Sequence, residues 1–443
     1  MKRYAFTIIL VLGIIPITTQ GQDLIATYEQ AVQRDPLVHQ AEANRNASLE
    51  NKPQSIARLL PTVSITAGVN QNWVTTKTSD LIQQNIAGGT DIKFWNSLPS
   101  FNLTQPLYRH DLWVKLSQAD NQVAQAEAEY EAAFQNLMLR TSKAYFDILY
   151  AQDNLEFAKM ERQSIERQLE QAKARFEVGL IAITEVDSAQ AGFDQARSGE
   201  IKAENELENA REAMRVIVGQ FEGEVAALQA DVPLKPPEPA NIDTWNQRGQ
   251  EDNLLIIAAT NQAELANKAI DVQFSGHLPT LDLVASAGFN ENNRPRGTRT
   301  ETQVIGLQLN VPIFQGGLVN SQVRQARELS KAAQENLDVQ RRNTTNQVKT
   351  SYRGIITSIS QVAALKSAVA SAQSALDAIS AGFEVGTRTM LDVLIQQRNL
   401  YQVKRDYAKT RYDYIMNSLA LKQSTGNLSQ GDLEMVNRWL TKN

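Results

Sequence analysis

Two hydrophobic periods alternate along this chain. From about Leu112, small or apolar residues recur at Leu112, Leu116, Ala119, Val123, Ala126, Tyr130, Ala133 and Leu137, and the series runs on through Ala144, Ile148, Ala151 and Leu155 to Ala158. The steps alternate between three and four with one slip, which is the pattern of a coiled-coil seam. Alanine at many of these positions lets a neighbouring helix approach closely. No proline occurs from Leu107 to Val232, nor after Pro312. A helix from about His110 to Phe176 is therefore predicted, roughly 100 Å long at 1.5 Å per residue.

Elsewhere the period is two. Ile305, Leu307, Leu309, Val311 and Ile313 share one face of an extended run, with Gly306, Gln308 and Asn310 opposite. Leu281, Leu283, Ala285, Ala287 and Phe289 alternate with Asp282, Ser286 and Gly288. In the first half of the chain, Val63, Ile65, Ala67 and Val69 alternate with Thr62, Ser64, Thr66 and Gly68, and Phe101 and Leu103 with Ser100, Asn102 and Thr104. These are strands with one apolar and one polar face. Polar stretches from about Thr75 to Ser97 and from Glu291 to Glu301 read as the loops joining each pair. Strands that cross a membrane run ~9–11 residues, apolar outside and polar inside, and these fit; a soluble hairpin packed on a core shares the alternation. Four strands do not close a barrel, since small closed barrels need about eight. A barrel thus requires more than one copy, eight strands from two or twelve from three.

The layout is written twice. Ala174-Arg175-Phe176-Glu177-Val178-Gly179 recurs 207 residues later as Ala381-Gly382-Phe383-Glu384-Val385-Gly386, and Glu185-Val186 matches Asp392-Val393 at the same offset. Leu60-Pro61-Thr62 returns as Leu278-Pro279-Thr280, and Gln105-Pro106-Leu107-Tyr108 lines up with Val311-Pro312-Ile313-Phe314. The first repeat spans 22–231, with its β-hairpin at 61–107; the second spans 241–443, with its β-hairpin at 279–314. A Pro-rich linker at 232–240 separates them and makes a stiff connector. Each repeat opens with a helical segment, Asp23 to Arg58 and Asn253 to Ser275, closed by a Leu-Pro-Thr break. Each ends in a long helical hairpin. Gly179 and Gly386 mark the turns, as glycine suits a helix C-terminus, and Thr184 suits the start of the returning helix.

Charge and composition narrow the function. Lys2 and Arg3, an apolar run from Tyr4 to Ile17, and the small residues Thr19 and Gly21 read as a secretory signal over residues 1–21. Its removal takes the formal charge from −5 to −7, with 42 basic against 49 acidic residues. That balance argues against a nucleic-acid partner. With no cysteine, disulfides, thiolate metal sites and a lipidated N-terminus are excluded. Beyond the signal no stretch of 18 apolar residues stands out as a membrane helix. His39, His110 and His277 are widely separated and form no HExxH pair, and no phosphate-binding glycine loop is present. The expectation is a protein that is not an enzyme and carries no cofactor. Between the classes left open, a membrane duct and a soluble periplasmic coiled-coil adaptor without a barrel, the alternating strands favour the duct.

The motifs Arg175-Phe176-Glu177-Val178-Gly179-Leu180-Ile181-Ala182-Ile183-Thr184-Glu185-Val186, Gly276-His277-Leu278-Pro279-Thr280-Leu281-Asp282-Leu283, Pro312-Ile313-Phe314-Gln315-Gly316-Gly317 and Val385-Gly386-Thr387-Arg388-Thr389 together carry a resemblance. Over nearly the whole mature chain, the sequence resembles the TolC family of outer-membrane efflux proteins. The resemblance implies a mainly α fold with a β-barrel part: a homotrimer whose 12-stranded outer-membrane barrel continues as a 12-helix periplasmic tunnel. It implies an exit duct for multidrug efflux or type I protein secretion, set in outer-membrane lipid of a Gram-negative cell. Its implied partners are a periplasmic adaptor and an inner-membrane efflux pump or ABC transporter. It also implies a gate at the periplasmic helix ends, with Arg388 the cation of polar links that face Thr184 and Glu185, Asp392 an acidic ring near the axis, and the turns at Gly179 and Gly386 the adaptor docking points. Three departures stand out. Glu185 replaces an Asp, Phe383 replaces a Tyr whose hydroxyl would bond the acid, and Ile395 stands where a second Asp ring is expected. These imply a more loosely held gate and weaker cation block.

Overall fold

The computed structural model describes residues 22–76, 90–221, 224–293 and 297–441; the expected signal at 1–21 lies outside them. The first half comprises α1 (Leu24–Arg34), α2 (Pro36–Leu49), α3 (Asn51–Ala57), β1 (Thr62–Thr66), β2 (Val69–Thr76), β3 (Thr90–Ser97), β4 (Ser100–Tyr108), α4 (His110–Glu177) and α5 (Ile183–Val218). The second comprises α6 (Ile242–Asp252), α7 (Leu254–Phe274), a 3₁₀ turn at Ser275–His277, β5 (Thr280–Asn292), β6 (Arg299–Asn310), α8 (Leu318–Glu384), α9 (Met390–Ser424) and α10 (Gln430–Asn437). The chain divides into two compact units, each drawing on both repeats. One is built from Met1–Gln40, Ala132–Asn253 and Asn343–Asn443, the other from Ala41–Glu131 and Leu254–Arg342.

The long helices are where the seam predicts them, with 68 residues in α4 and 67 in α8. The opening helix is not continuous from Asp23 to Arg58. Pro36 takes the first position of α2, where its missing N–H costs nothing, but it pushes Asp35 to an extended conformation (φ −69°, ψ 118°). The bend is held by Arg140, whose guanidinium donates two 3.0 Å hydrogen bonds to the buried Asp35 carboxylate, while Val38 N–H donates a third.

The unit of Ala41–Glu131 and Leu254–Arg342 carries the sheet. β1 pairs with β4, β2 with β3, β4 with β5 and β5 with β6, all antiparallel. Val63, Leu103, Ala285 and Ile305 align as one row across four strands, and Ser64, Asn102, Ser286 and Val304 as the next. The expected loop from Thr75 to Ser97 is shorter than read. β2 runs to Thr76 and β3 begins at Thr90, because Ile92 and Phe94 alternate with Asp91 and Lys93 and continue the ladder. Likewise β5 and β6 run to Asn292 and from Arg299, into the stretch read as loop. In the first repeat the two long runs are each kinked, between β1 and β2 and between β3 and β4, and Leu98 N–H donates to Gly68 C=O across the kinks at 2.9 Å. The apolar face is uncovered within the chain, with Ile65 78%, Leu307 66% and Ile305 79% exposed. Behind the sheet, α7 and the start of α4 are joined by polar contacts. The Asn121 amide donates to Asn261 and Glu264, and Lys268 donates to Ser117 and Asn121.

The other unit has an apolar core around Leu137, Tyr145, Phe146, Met214, Ile415 and Leu433. Tyr145 is fully buried, and its hydroxyl donates to Ala226 C=O at 3.0 Å, so its polar tip is satisfied. The Pro-rich linker is tied here by Tyr414, whose hydroxyl accepts from Lys235 N–H and donates to Lys235 C=O. α9 ends at Gly426 (φ +71°), with Gly426 N–H bonded to Gln423 C=O and Asn427 N–H to Lys422 C=O. This paired closure needs a left-handed residue. A Cβ at 426 would also meet Asp252 O at 2.1 Å. Gly426→Ala is expected to destabilise the protein by roughly 2–3 kcal/mol, from strain and overpacking together; a lowered thermal unfolding midpoint of the purified variant checks this.

Candidate functional site

The ends of the two helical hairpins lie in one unit and are built alike. At the end of α4, Gly179 (φ +74°) donates to Phe176 C=O and Leu180 N–H to Arg175 C=O. At the end of α8, Gly386 (φ +79°) donates to Phe383 C=O and Thr387 N–H to Gly382 C=O. Space around both glycines is open, so it is the positive φ that demands glycine here.

The helix starts differ. α9 begins at Thr389, whose side chain accepts from Asp392 N–H while the Asp392 carboxylate accepts from the Thr389 amide and hydroxyl. This is a capping box. In the first repeat the matching residues are Ala182 and Glu185. The N-cap of α5 is Ala182 rather than Thr184, which sits exposed in the first turn, and no side chain closes the cap. With no hydroxyl at 182 to engage it, Glu185 reaches the other hairpin, where its Oε2 accepts from Met390 N–H at 2.8 Å. A carboxylate at this first amide of α9 is also favoured by the helix dipole. Met390 is itself fully buried, packed with Ile165, Leu169, Val186, Ala189 and Leu394, and Phe383 covers that cluster.

Arg388 is exposed. Among the described residues its guanidinium makes no hydrogen bond or ion pair. Its stem lies over Gly382, where a Cβ would meet Arg388 Cγ at 2.8 Å. Within one chain, then, the structure joins Glu185 to α9 but does not bring Arg388 to Thr184 or Glu185. Phe383 is not idle without a hydroxyl. Arg175 stacks over its ring at 5.1 Å and donates to its carbonyl at 3.4 Å. Sequence reading passed over Arg175. The repeat offset held the signal, since it sets Arg175 against Gly382.

Further along, the hairpins are tied by Arg398 to Gln195, Arg405 to Glu161 (3.2 Å) and the Tyr412 hydroxyl to Asp153 (2.7 Å). A polar groove of about 530 Å³ opens between α4, α5 and α9, lined in part by Glu161, Lys202 and Arg405. Burial pushes the Asp153 carboxyl up, and the Tyr412 hydroxyl and Arg411 only partly offset this. Ile395 is exposed on α9, and no acid stands in its place.

Helical hairpins whose first helices are 68 and 67 residues long, in a chain that also carries an uncovered apolar sheet, are the parts of a membrane-duct subunit. Residues 27–220 and 245–427 match the outer membrane efflux protein family, and the chain belongs to it. It is 37% identical to outer membrane protein TolC of Vibrio cholerae over 97% of this chain and 96% of that one. It is 27% identical to alkaline protease secretion protein AprF of Pseudomonas aeruginosa, over 93% and 86%. The Campylobacter jejuni CmeC outer membrane channel shares the fold, with a TM-score of 0.77, 15% identity and coverage of 100% and 98%. The protein is thus an outer-membrane channel of a Gram-negative cell that serves as an exit duct. Its family and relatives are channels, not enzymes. The alternative of a barrel-free adaptor is set aside by the family match.

The amide and hydroxyl of Thr389 hold the Asp392 carboxyl below its ordinary value of 3.8, and Arg388 adds to this. A lowered folded pKa means that the cap's stabilisation is fully present above the unfolded value. It is lost as pH falls through the lower folded one. Protection of the amides at the start of α9, taken relative to their intrinsic exchange rates, is expected to be high at neutral pH and to fall in acid once the Asp392 carboxyl is protonated. In Asp392→Ala it is expected to be low at both.

Proposed function

We propose that three copies of this chain close a twelve-stranded barrel and that the hairpin ends form its periplasmic gate. The observation that carries the reading is the pair of open sheet edges, β1–β2 on one side and β6 on the other, beside an apolar face with no cover. An edge exposed to lipid leaves amides unpaired at several kcal/mol each, so β6 of one copy pairs with the first strand of the next. Aromatic residues flank the apolar face at both ends of the strands. Trp73 and Trp95 are exposed towards the loops, and Tyr108, Trp113 and Phe314 towards the helices, in keeping with interfacial girdles facing outer-membrane lipid. A window of α8 with mean hydropathy 1.3 is only 22% buried in the single chain. This supports its cover by a neighbouring copy.

At the gate, the Arg388 guanidinium, which makes no hydrogen bond or ion pair among the described residues, reaches Thr184 and Glu185 of the next protomer. Three Asp392 carboxylates converge on the axis, where their repulsion opposes the lowering of pKa by Thr389 and attracts cations. With Ile395 in place of an acid, one ring does this work. The turns at Gly179 and Gly386 expose Val178, Leu180 and Val385, an apolar tip for a periplasmic adaptor that brings an inner-membrane pump or ABC transporter. The cargo is small drugs or secreted proteins, the latter by analogy with AprF.

The test is single-channel current of the purified protein in a planar bilayer. Small steps that grow in Arg388→Ala support a pore gated through Arg388. No current from well-folded protein of either form defeats the channel assembly, and equal steps in both move the gate away from Arg388. A second test addresses the barrel. Leu307→Arg on the lipid face is expected to cost about 2–4 kcal/mol, seen as loss of barrel stability in detergent, while Gln308→Arg on the inner face is tolerated.

A further inference from the structure

The guanidinium of Arg175 reaches from one hairpin end to the C-terminus of the other's first helix. It lies 5.1 Å over the Phe383 ring and donates to the Phe383 carbonyl at 3.4 Å. That carbonyl belongs to the last turn of α8, where the helix dipole favours a cation and where it also accepts from Gly386 N–H. Arg175 is itself anchored, because its own carbonyl accepts from Leu180 N–H in the closing turn of α4. Ring, carbonyl and dipole therefore act on one side chain.

The repeat makes the arrangement one-sided. At the position equivalent to Arg175 the second half has Gly382, and the arginine stem that lies over that glycine is Arg388. One arginine is thus spent inside the chain, and the other is exposed at its surface with no hydrogen bond or ion pair of its guanidinium among the described residues. We propose that Arg175 is a positioning residue for the gate. It ties the α4–α5 and α8–α9 ends of one protomer together through Phe383, so that Arg388 is presented to the neighbouring protomer from a rigid tip. This rests on the gate reading above. The two ties differ in kind. The Arg388 link joins protomers and breaks on opening, whereas the Arg175 tie sets how far the two hairpins of one protomer separate. Phe383, lacking a hydroxyl, contributes its face and its carbonyl.

The experiment pairs two readouts on Arg175→Ala, Arg175→Lys, Phe383→Leu and Arg388→Ala. Open probability in a planar bilayer is expected to rise on the order of tenfold in Arg175→Ala, for loss of a cation–π contact and a charged hydrogen bond. Phe383→Leu, which keeps an apolar side chain and removes the ring, is expected to rise less. Arg175→Lys, which keeps the charge, is expected to lie near wild type. Hydrogen exchange at Val385–Thr387 is expected to quicken in Arg175→Ala and Phe383→Leu but not in Arg388→Ala. Unchanged exchange and unchanged opening in Arg175→Ala, with Arg388→Ala opening, overturn the tie and leave the gate standing. Faster exchange in Arg175→Ala with no change of current in any variant, Arg388→Ala included, keeps the contact but overturns its role and the gate reading together. If Arg175→Ala does not fold, the Lys and Leu variants decide. Opening of Phe383→Leu supports the tie, and wild-type behaviour in Phe383→Leu overturns it.

Discussion

In hydrocarbon an unpaired backbone amide costs several kcal/mol, and the rest of this structure depends on how that cost is avoided. The chain offers four long extended runs and two open edges, too few to curl closed on themselves. It also leaves the lipid-coloured face of those runs bare. Polar side chains fill the opposite face, Ser64, Asn102 and Ser286 in one row and Asp282 and Gln308 in another. In the assembly proposed above, neighbouring copies of the chain supply the missing edges and the missing cover.

The duplication matters for what differs between its halves. Thr389 and Asp392 close a capping box, while Ala182 cannot, and Glu185 is thereby turned outward to the first amide of α9. Arg175 has its counterpart in Gly382, which makes room for Arg388. Two copies of one hairpin have become a donor and an acceptor of contacts.

Much of the fold was legible because its periods are long and pure. The three–four spacing from Leu112 onward gives α4 nearly to the residue, since no proline or glycine interrupts it. The strands around Val63 and Ile305 follow from strict alternation. The boundaries failed where polarity misled. Asp91, Lys93 and Asn96 look like loop, yet they pair with Thr75, Trp73 and Asn70 in the β2–β3 ladder. Pro36 breaks the first helix although the apolar pattern runs through it, because its ring acts on the residue before it and leaves the pattern untouched. At the site, the glycines and the acid at 392 announce themselves, but the partners do not. Nothing in the spacing says that Glu185 meets a backbone amide or that Arg175 meets a ring, because both contacts join residues more than 200 positions apart.

That separation also governs how the protein comes into being. Leu24 N–H is held by the Asn437 side chain, and the strand-like bridges pair Gln22 with Val225 and Leu228 with Leu440. Each compact unit is assembled from segments far apart in the chain. Closing loops of that size is slow, and the unit that includes Asn343–Asn443 cannot be finished while the last residues are still being delivered. Until then the apolar core around Leu24 and Tyr145 lacks the C-terminal helices that complete it. The time to completion is a window in which chaperones and proteases compete for the chain.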